Sequence, residues 1–114
     1  MTTIYHNPRC SKSRQTLELL AKHNIQPEIR LYLQDTPSVE EIKTLLTQLA
    51  ITPLELMRTK ESTFKELNLD KDSTDEECIE ALHTHPILIE RPIVIHNNKA
   101  KIGRPPESVL ALFE

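Results

Sequence analysis

The chain has 114 residues, 38% of them hydrophobic and 27% charged, with a formal net charge of −3. This is the size of one ordinary domain with a core to bury. It has no apolar run near the roughly 20 residues of a membrane span, no basic and apolar leader in its opening MTTIYHNPRC, and no basic excess to favour nucleic acid.

Taken in chain order, Thr2–His6 reads as a short β-strand, rich in β-branched and aromatic residues. Asn7-Pro8 breaks it. A helical pattern then runs from Ser11 to about Asn24, with Thr16, Leu17, Leu20 and Ala21 at helical spacing. Glu28–Leu33 alternates again, with Ile29, Leu31 and Leu33 on one face. Strand, helix and strand in that order predict a βαβ unit with parallel strands.

The middle of the chain is helical. Ser38 caps a helix, with Glu41 at capping-box spacing and Val39, Ile42, Leu45, Leu46 and Leu49 as its apolar face. Pro53–Met57 predicts a short helix leading to Arg58, and Phe64–Leu69 another turn. Ser73 or Thr74 caps a helix through about His83, with Ile79 and Leu82 facing the core.

Strands return at Pro92–His96, followed by Asn97-Asn98 as a tight turn and Ala100–Ile102 as the second arm of a hairpin. Gly103 leaves the strand, and Pro105-Pro106 opens a last helix through about Phe113. The expectation is one α/β domain over 1–114, a thioredoxin-like core (βαβ…ββα) with a helical insertion at about 36–85.

The densest chemistry lies in HNPRCSKSR, residues 6–14. Cys10 follows a strand and a break and stands where a helix begins. The first amides of a helix lack intrahelical partners, and the dipole there favours negative charge, so a thiolate or another anion is stabilised. Arg9, Lys12, Arg14 and His6 are the nearby sources of positive charge. Thiol pKa values in such settings fall from about 8.5 into the range of roughly 3.5–7.5, and only the thiolate is a strong nucleophile.

Spacing narrows the chemistry. Dithiol exchange needs Cys-x-x-Cys, and Ser13 holds the second position. A Cys-x5-Arg phosphatase loop needs arginine where Thr16 stands. Neither Cys10 nor Cys78 has close partners at zinc-ligand spacing, so no metal is expected. What remains is a monothiol, resolved by an external thiol or by Cys78. On its amphipathic helix, Cys78 reads as a core residue. His23 complements a helix end, and His83, His85 and His96 read as surface or packing residues. Two cysteines make no disulfide framework, so a reducing cytoplasm is expected.

Three arginines stand at breaks between elements: Arg58, Arg91 before Pro92, and Arg104 before Pro105-Pro106. Their planar forks suit tetrahedral oxyanions. Arg91-Pro92 is the most suggestive, because a strand-initiating proline in a thioredoxin-like plan can be cis and lie opposite the cysteine.

These residues carry a resemblance. YHNPRCSKSR at 5–14, LYL at 31–33, LMRTKE at 56–61, HPILIERPIV at 85–94 and GRPPE at 103–107 follow the order and spacing of the ArsC family of glutaredoxin-coupled arsenate reductases. The PRCSKSR and IGRPPE wording is shared with the YfgD-type branch. The resemblance implies that Cys10 is the nucleophile, that His6 favours its thiolate, and that Ser13 hydrogen-bonds it. It implies that Arg58, Arg91 and Arg104 bind the oxyanion. It further implies a thiolate–arsenate adduct, glutathione as co-substrate without any bound cofactor, and reduction of a mixed disulfide by glutaredoxin. Resistance members read PxCGTSR, where this chain has Arg9, Ser11 and Lys12.

Two other readings belong to different classes. One is a thiol-transferase or de-glutathionylating enzyme. The other is an Spx-like regulator that binds RNA polymerase, whose Cys-x-x-Cys switch is missing here. A monomer is expected for this size.

Overall fold

In the computed structural model, which describes residues 1–114, β1 (Thr2–Tyr5), β2 (Glu28–Arg30), β3 (Ile93–His96) and β4 (Lys99–Ile102) form one sheet in the order β2-β1-β3-β4. β1 and β2 are parallel; β3 runs antiparallel to β1 and to β4. The crossover from β1 to β2 is α1 (Ser11–Lys22), and a 3-10 helix (Pro106–Phe113) ends the chain. This is the thioredoxin-like plan expected from the sequence, with the last helix wound as 3-10.

The chain falls into two compact units, residues 1–35 with 91–114, and Thr36–Glu90. In the first, Ile4, Leu20, Val94 and Val109 form a fully buried cluster. Leu17, Ile25, Leu112 and Phe113 pack against it. Inward side chains from the sheet, α1 and the last helix thus share one apolar interior, the main stabilising term for a unit of this kind. α1 ends at Lys22, and Asn24 takes a left-handed φ of 61°, a conformation asparagine tolerates better than most residues. Its buried stripe is Ser13, Thr16 and Leu20, whereas Ala21 is exposed.

The second strand departs from expectation. β2 stops at Arg30, and Leu31 leaves into a turn closed by Gln34 N–H and Asp35 N–H, both donating to Leu31 O at 2.9 and 2.8 Å. Ile29, Leu31 and Leu33 are 49%, 37% and 41% exposed, while Tyr32 is buried and stacks on Tyr5 at 6.1 Å. β2 is an edge strand, and its alternation did not tell which face would be covered.

The second unit contains α2 (Val39–Leu49), α3 (Pro53–Leu56), α4 (Ser62–Glu66), α5 (Asp75–Thr84) and a 3-10 turn (Pro86–Leu88). It runs past the insertion boundary expected near residue 85. Reciprocal capping boxes start α2, α3 and α5, pairing Ser38 with Glu41, Thr52 with Glu55 and Thr74 with Glu77. Each box satisfies two otherwise unpaired backbone donors. Of the two cap candidates for α5, Thr74 serves; the Ser73 hydroxyl instead accepts from Asp70 N–H. α5 packs on α2 and α3. A bridge between Met57 and Ile89, with Arg58 N–H donating to Leu88 O at 2.8 Å, fastens the segment that carries Arg58. No helix is long and apolar enough to cross a membrane.

Candidate active site

Cys10 is the N-cap of α1, with extended backbone at φ −96° and ψ 122°. Its N–H donates to Asn7 O at 3.0 Å, and its carbonyl accepts Arg14 N–H at 3.0 Å, the first bond of the helix. Asn7 Oδ1 accepts Arg9 N–H, and Arg14 Nη1 donates to Pro8 O at 2.8 Å. The loop between β1 and α1 is therefore tied at both ends. The Lys12 and Ser13 amides of the first turn, which have no partners within the helix, act on the sulfur.

Cys10 is buried, with 8% of the residue exposed. Burial pushes its pKa up. The Ser13 amide, the Arg91 charge, the Lys12 amide and a hydrogen bond from Arg91 together outweigh that, and the net pKa lies below the ordinary thiol value. This is the thiolate stabilisation expected at a helix start. Its sources differ from those the neighbouring sequence suggested. Arg9 and Lys12 point their side chains to solvent, and Lys12 acts on the sulfur through its backbone. Arg14 is turned to the Pro8 carbonyl.

His6 likewise contributes no positive charge. Burial, and then the charge of Arg14, hold its pKa below the ordinary histidine value. The ring is neutral at pH 7. Ser13 Oγ accepts Asn7 N–H at 3.0 Å and lies 2.6 Å from His6 Nδ1. With the imidazole neutral, this contact is one hydrogen bond whose direction follows the imidazole tautomer, the hydroxyl donating to a bare Nδ1 or accepting from Nδ1–H. The Ser13 hydroxyl thus locks His6 to the loop, and it is the Ser13 amide that serves the thiolate.

The cations that reach Cys10 come from the far end of the chain. Arg104 Nη2 donates to Cys10 Sγ at 3.9 Å, and Arg104 Nε donates to Arg91 O at 2.9 Å. The Arg91–Pro92 and Arg104–Pro105 peptide bonds are both cis. Gly103 N–H donates to Pro92 O at 2.9 Å and brackets the two. A Cβ at Gly103 would lie 2.7 Å from Thr16 Oγ1 and 2.8 Å from Pro92 Cγ. The only glycine in the chain therefore permits α1, Pro92 and the Arg104 loop to meet. In the sequence Gly103 reads merely as the end of a strand; its being the only glycine is the available signal.

Arg58, the third expected arginine, belongs to the helical unit. There its guanidinium faces Glu61 at 3.4 Å and Glu90 at 3.9 Å, so nearby carboxylates partly balance its charge. Cys78 is 1% exposed, and burial, with Asp75 and Glu77, pushes its thiol pKa up. A buried, protonated thiol is a poor nucleophile. No three His, Cys, Asp or Glu side chains gather as a metal would require.

The chain is similar to known proteins over nearly its whole length. The profile of the ArsC family matches residues 5–112. An arsenate reductase of Haemophilus influenzae is 53% identical over 112 residues, covering 96% of this chain and 97% of that one. The protein YfgD of Escherichia coli is 51% identical, covering 96% and 93%. Among solved structures, the arsenate reductase from Vibrio cholerae superposes with a TM-score of 0.93 at 50% identity, over 97% of this chain and 96% of that one.

Proposed function

The chain belongs to the ArsC family, and from that premise we propose that it reduces arsenate to arsenite through an adduct on Cys10, with glutathione as co-substrate and glutaredoxin as the final reductant. The observation that carries this reading is the Cys10 sulfur at a helix start with Arg104 at 3.9 Å and the charge of Arg91 upon it. A tetrahedral oxyanion meeting that sulfur finds amides and guanidinium groups already aimed at it, and needs little reorganisation. Arg58 joins the proposal on the family motif alone.

The chemistry balances with two thiols. Cys10 thiolate bonds to arsenic, and one arsenate oxygen leaves and is protonated to water. Glutathione thiolate then attacks the Cys10 sulfur; the sulfur–arsenic pair passes to arsenic, which departs as arsenite. Arsenic has gained two electrons, and the two sulfurs have become one disulfide. A glutaredoxin thiolate takes the glutathionyl group and returns Cys10 as thiolate. A single activated thiol suits this external resolution, because the pKa of Cys10 is lowered whereas Cys78 is more deeply buried and its pKa is raised. Such thiol turnover suits a reducing compartment such as the cytoplasm.

The test is a coupled assay in which NADPH oxidation is followed with glutathione, glutaredoxin and arsenate. Wild type should turn over, and Cys10→Ser should not. Arsenate-dependent turnover by Cys10→Ser would overturn the adduct. Equal turnover by wild type with a glutathionylated peptide in place of arsenate would favour the thiol-transferase reading.

A further inference from the structure

We propose that the groove lined by His6, Pro8, Arg9, Leu31, Leu33 and Gln34 is the docking subsite for the thiol co-substrate, a small peptide thiol bearing carboxylates, with Arg9 as the carboxylate anchor. This deepens the function proposed above and rests on it for the identity of the thiol as glutathione.

The groove and the nucleophile share one turn. Cys10 N–H closes on Asn7 O, and Arg9, next to Cys10 in the chain, lines the groove. The opposite wall is the turn after β2. It is joined to the first by His6 N–H donating to Arg30 O at 2.9 Å, and stiffened by the two bonds onto Leu31 O. Both walls are thus held by backbone hydrogen bonds, as a preformed ligand site requires.

Its chemistry selects the occupant. The volume is about 240 Å³, just below the ~300–1,000 Å³ of sites that enclose drug-sized ligands, which fits a tripeptide held along one side. Leu31 and Leu33 present exposed apolar flanks, and Gln34 offers an amide to a peptide backbone. Arg9 is the only charged side chain in the lining, since His6 is neutral. The nearby Asp35 carboxylate is engaged by Arg30 at 3.5 Å. A second groove, about 330 Å³, sets Lys12 and Lys22 against Glu18 and Glu107, so its charges cancel. Of these two, the first complements an anionic peptide.

The test combines binding and kinetics on the full chain. Amide NMR shifts are followed while 15N-labelled protein is titrated with S-methylglutathione, which cannot react. Saturable shifts should appear at Arg9, Leu31, Leu33 and Gln34, and Arg9→Glu should abolish them. In the coupled assay, Arg9→Glu should raise the KM for glutathione at least tenfold and leave the KM for arsenate within twofold. Lys22→Glu, the same charge change in the other groove, should leave both constants unchanged. Cysteamine, a thiol without carboxylates, should lose the sensitivity to Arg9→Glu. Shifts that are absent or lie elsewhere, an unchanged glutathione KM in Arg9→Glu, or an equal effect from Lys22→Glu would each overturn the proposal. Shifts given by glutaredoxin but not by S-methylglutathione would also overturn it and make the groove a protein-docking surface. Absence of arsenate turnover in wild type would instead sink the proposed function, while the titration still decides the groove.

Discussion

Arg104 reaches Cys10 from the opposite end of the chain: its Nη2 lies 3.9 Å from the sulfur while its Nε is held by the Arg91 carbonyl at 2.9 Å. The bond to Arg91 O aims the guanidinium, and the guanidinium in turn stabilises negative charge on sulfur. Removing it should therefore change the thiol before it changes the fold. Arg104→Ala should move the midpoint of iodoacetamide alkylation of Cys10 to higher pH, and kcat/KM for arsenate should fall about 10²-fold, as for loss of one preorganised anion donor. An alkylation profile identical to wild type would show that Arg104 does not act on the thiolate.

The lowered pKa of Cys10 also predicts the pH dependence of stability. In the unfolded chain the thiol titrates near its ordinary value, so between the lowered native pKa and that value the unfolded state binds more protons. Stability then rises with pH across this window, is complete above it, and is lost as pH falls through the native pKa. Urea unfolding of wild type and Cys10→Ser at several pH values should show a difference that grows in favour of wild type over that window only. A constant difference would contradict a depressed native pKa.

At Gly103 an added methyl group meets Thr16 Oγ1 and Pro92 Cγ at under 3 Å. Gly103→Ala should cost about 1–3 kcal/mol, as overpacking does, measured by urea unfolding. Because Gly103 precedes Arg104, the same variant should also slow Cys10 alkylation near neutral pH. Gly103→Ala with wild-type stability and reactivity would mean that the close approach is relaxed at no cost.

Cys78 offers a contrast between the two thiols. Native protein should be alkylated at Cys10 alone, and denatured protein at both residues, read by mass spectrometry. Cys78→Ala should lose about 1 kcal/mol of stability through the small void it leaves, with arsenate turnover unchanged. Loss of turnover at full occupancy of the folded state would make Cys78 the resolving thiol.

Much of this molecule is local in origin and could be read without a structure. The capping boxes depend on residues three apart, and Cys10 stands at a helix start because Asn7-Pro8 ends a strand just before it. The hairpin belongs to the same class. Asn97 and Asn98 adopt φ of 50° and 66°, and the resulting register pairs Ile93 with Ile102. That register carries Pro92 to Gly103 and Arg91 to Arg104. The strand expected through Leu33 stops at Arg30 for an equally physical reason: Leu31 O accepts the Gln34 and Asp35 amides of a turn, and alternation alone does not show where a turn will interrupt it.

The order of elements, the caps, the turn and the monothiol at the start of α1 are local, because each follows from steric and hydrogen-bonding preferences within a few residues. Which charges act on that thiol is settled in three dimensions. β3 pairs with β1, whose end leads to Cys10, and so the distant Arg91 and Arg104 act on the sulfur while the adjacent Arg9, Lys12 and Arg14 side chains turn elsewhere. Electrostatic interaction falls with distance in space, and nearness along the chain does not measure that distance.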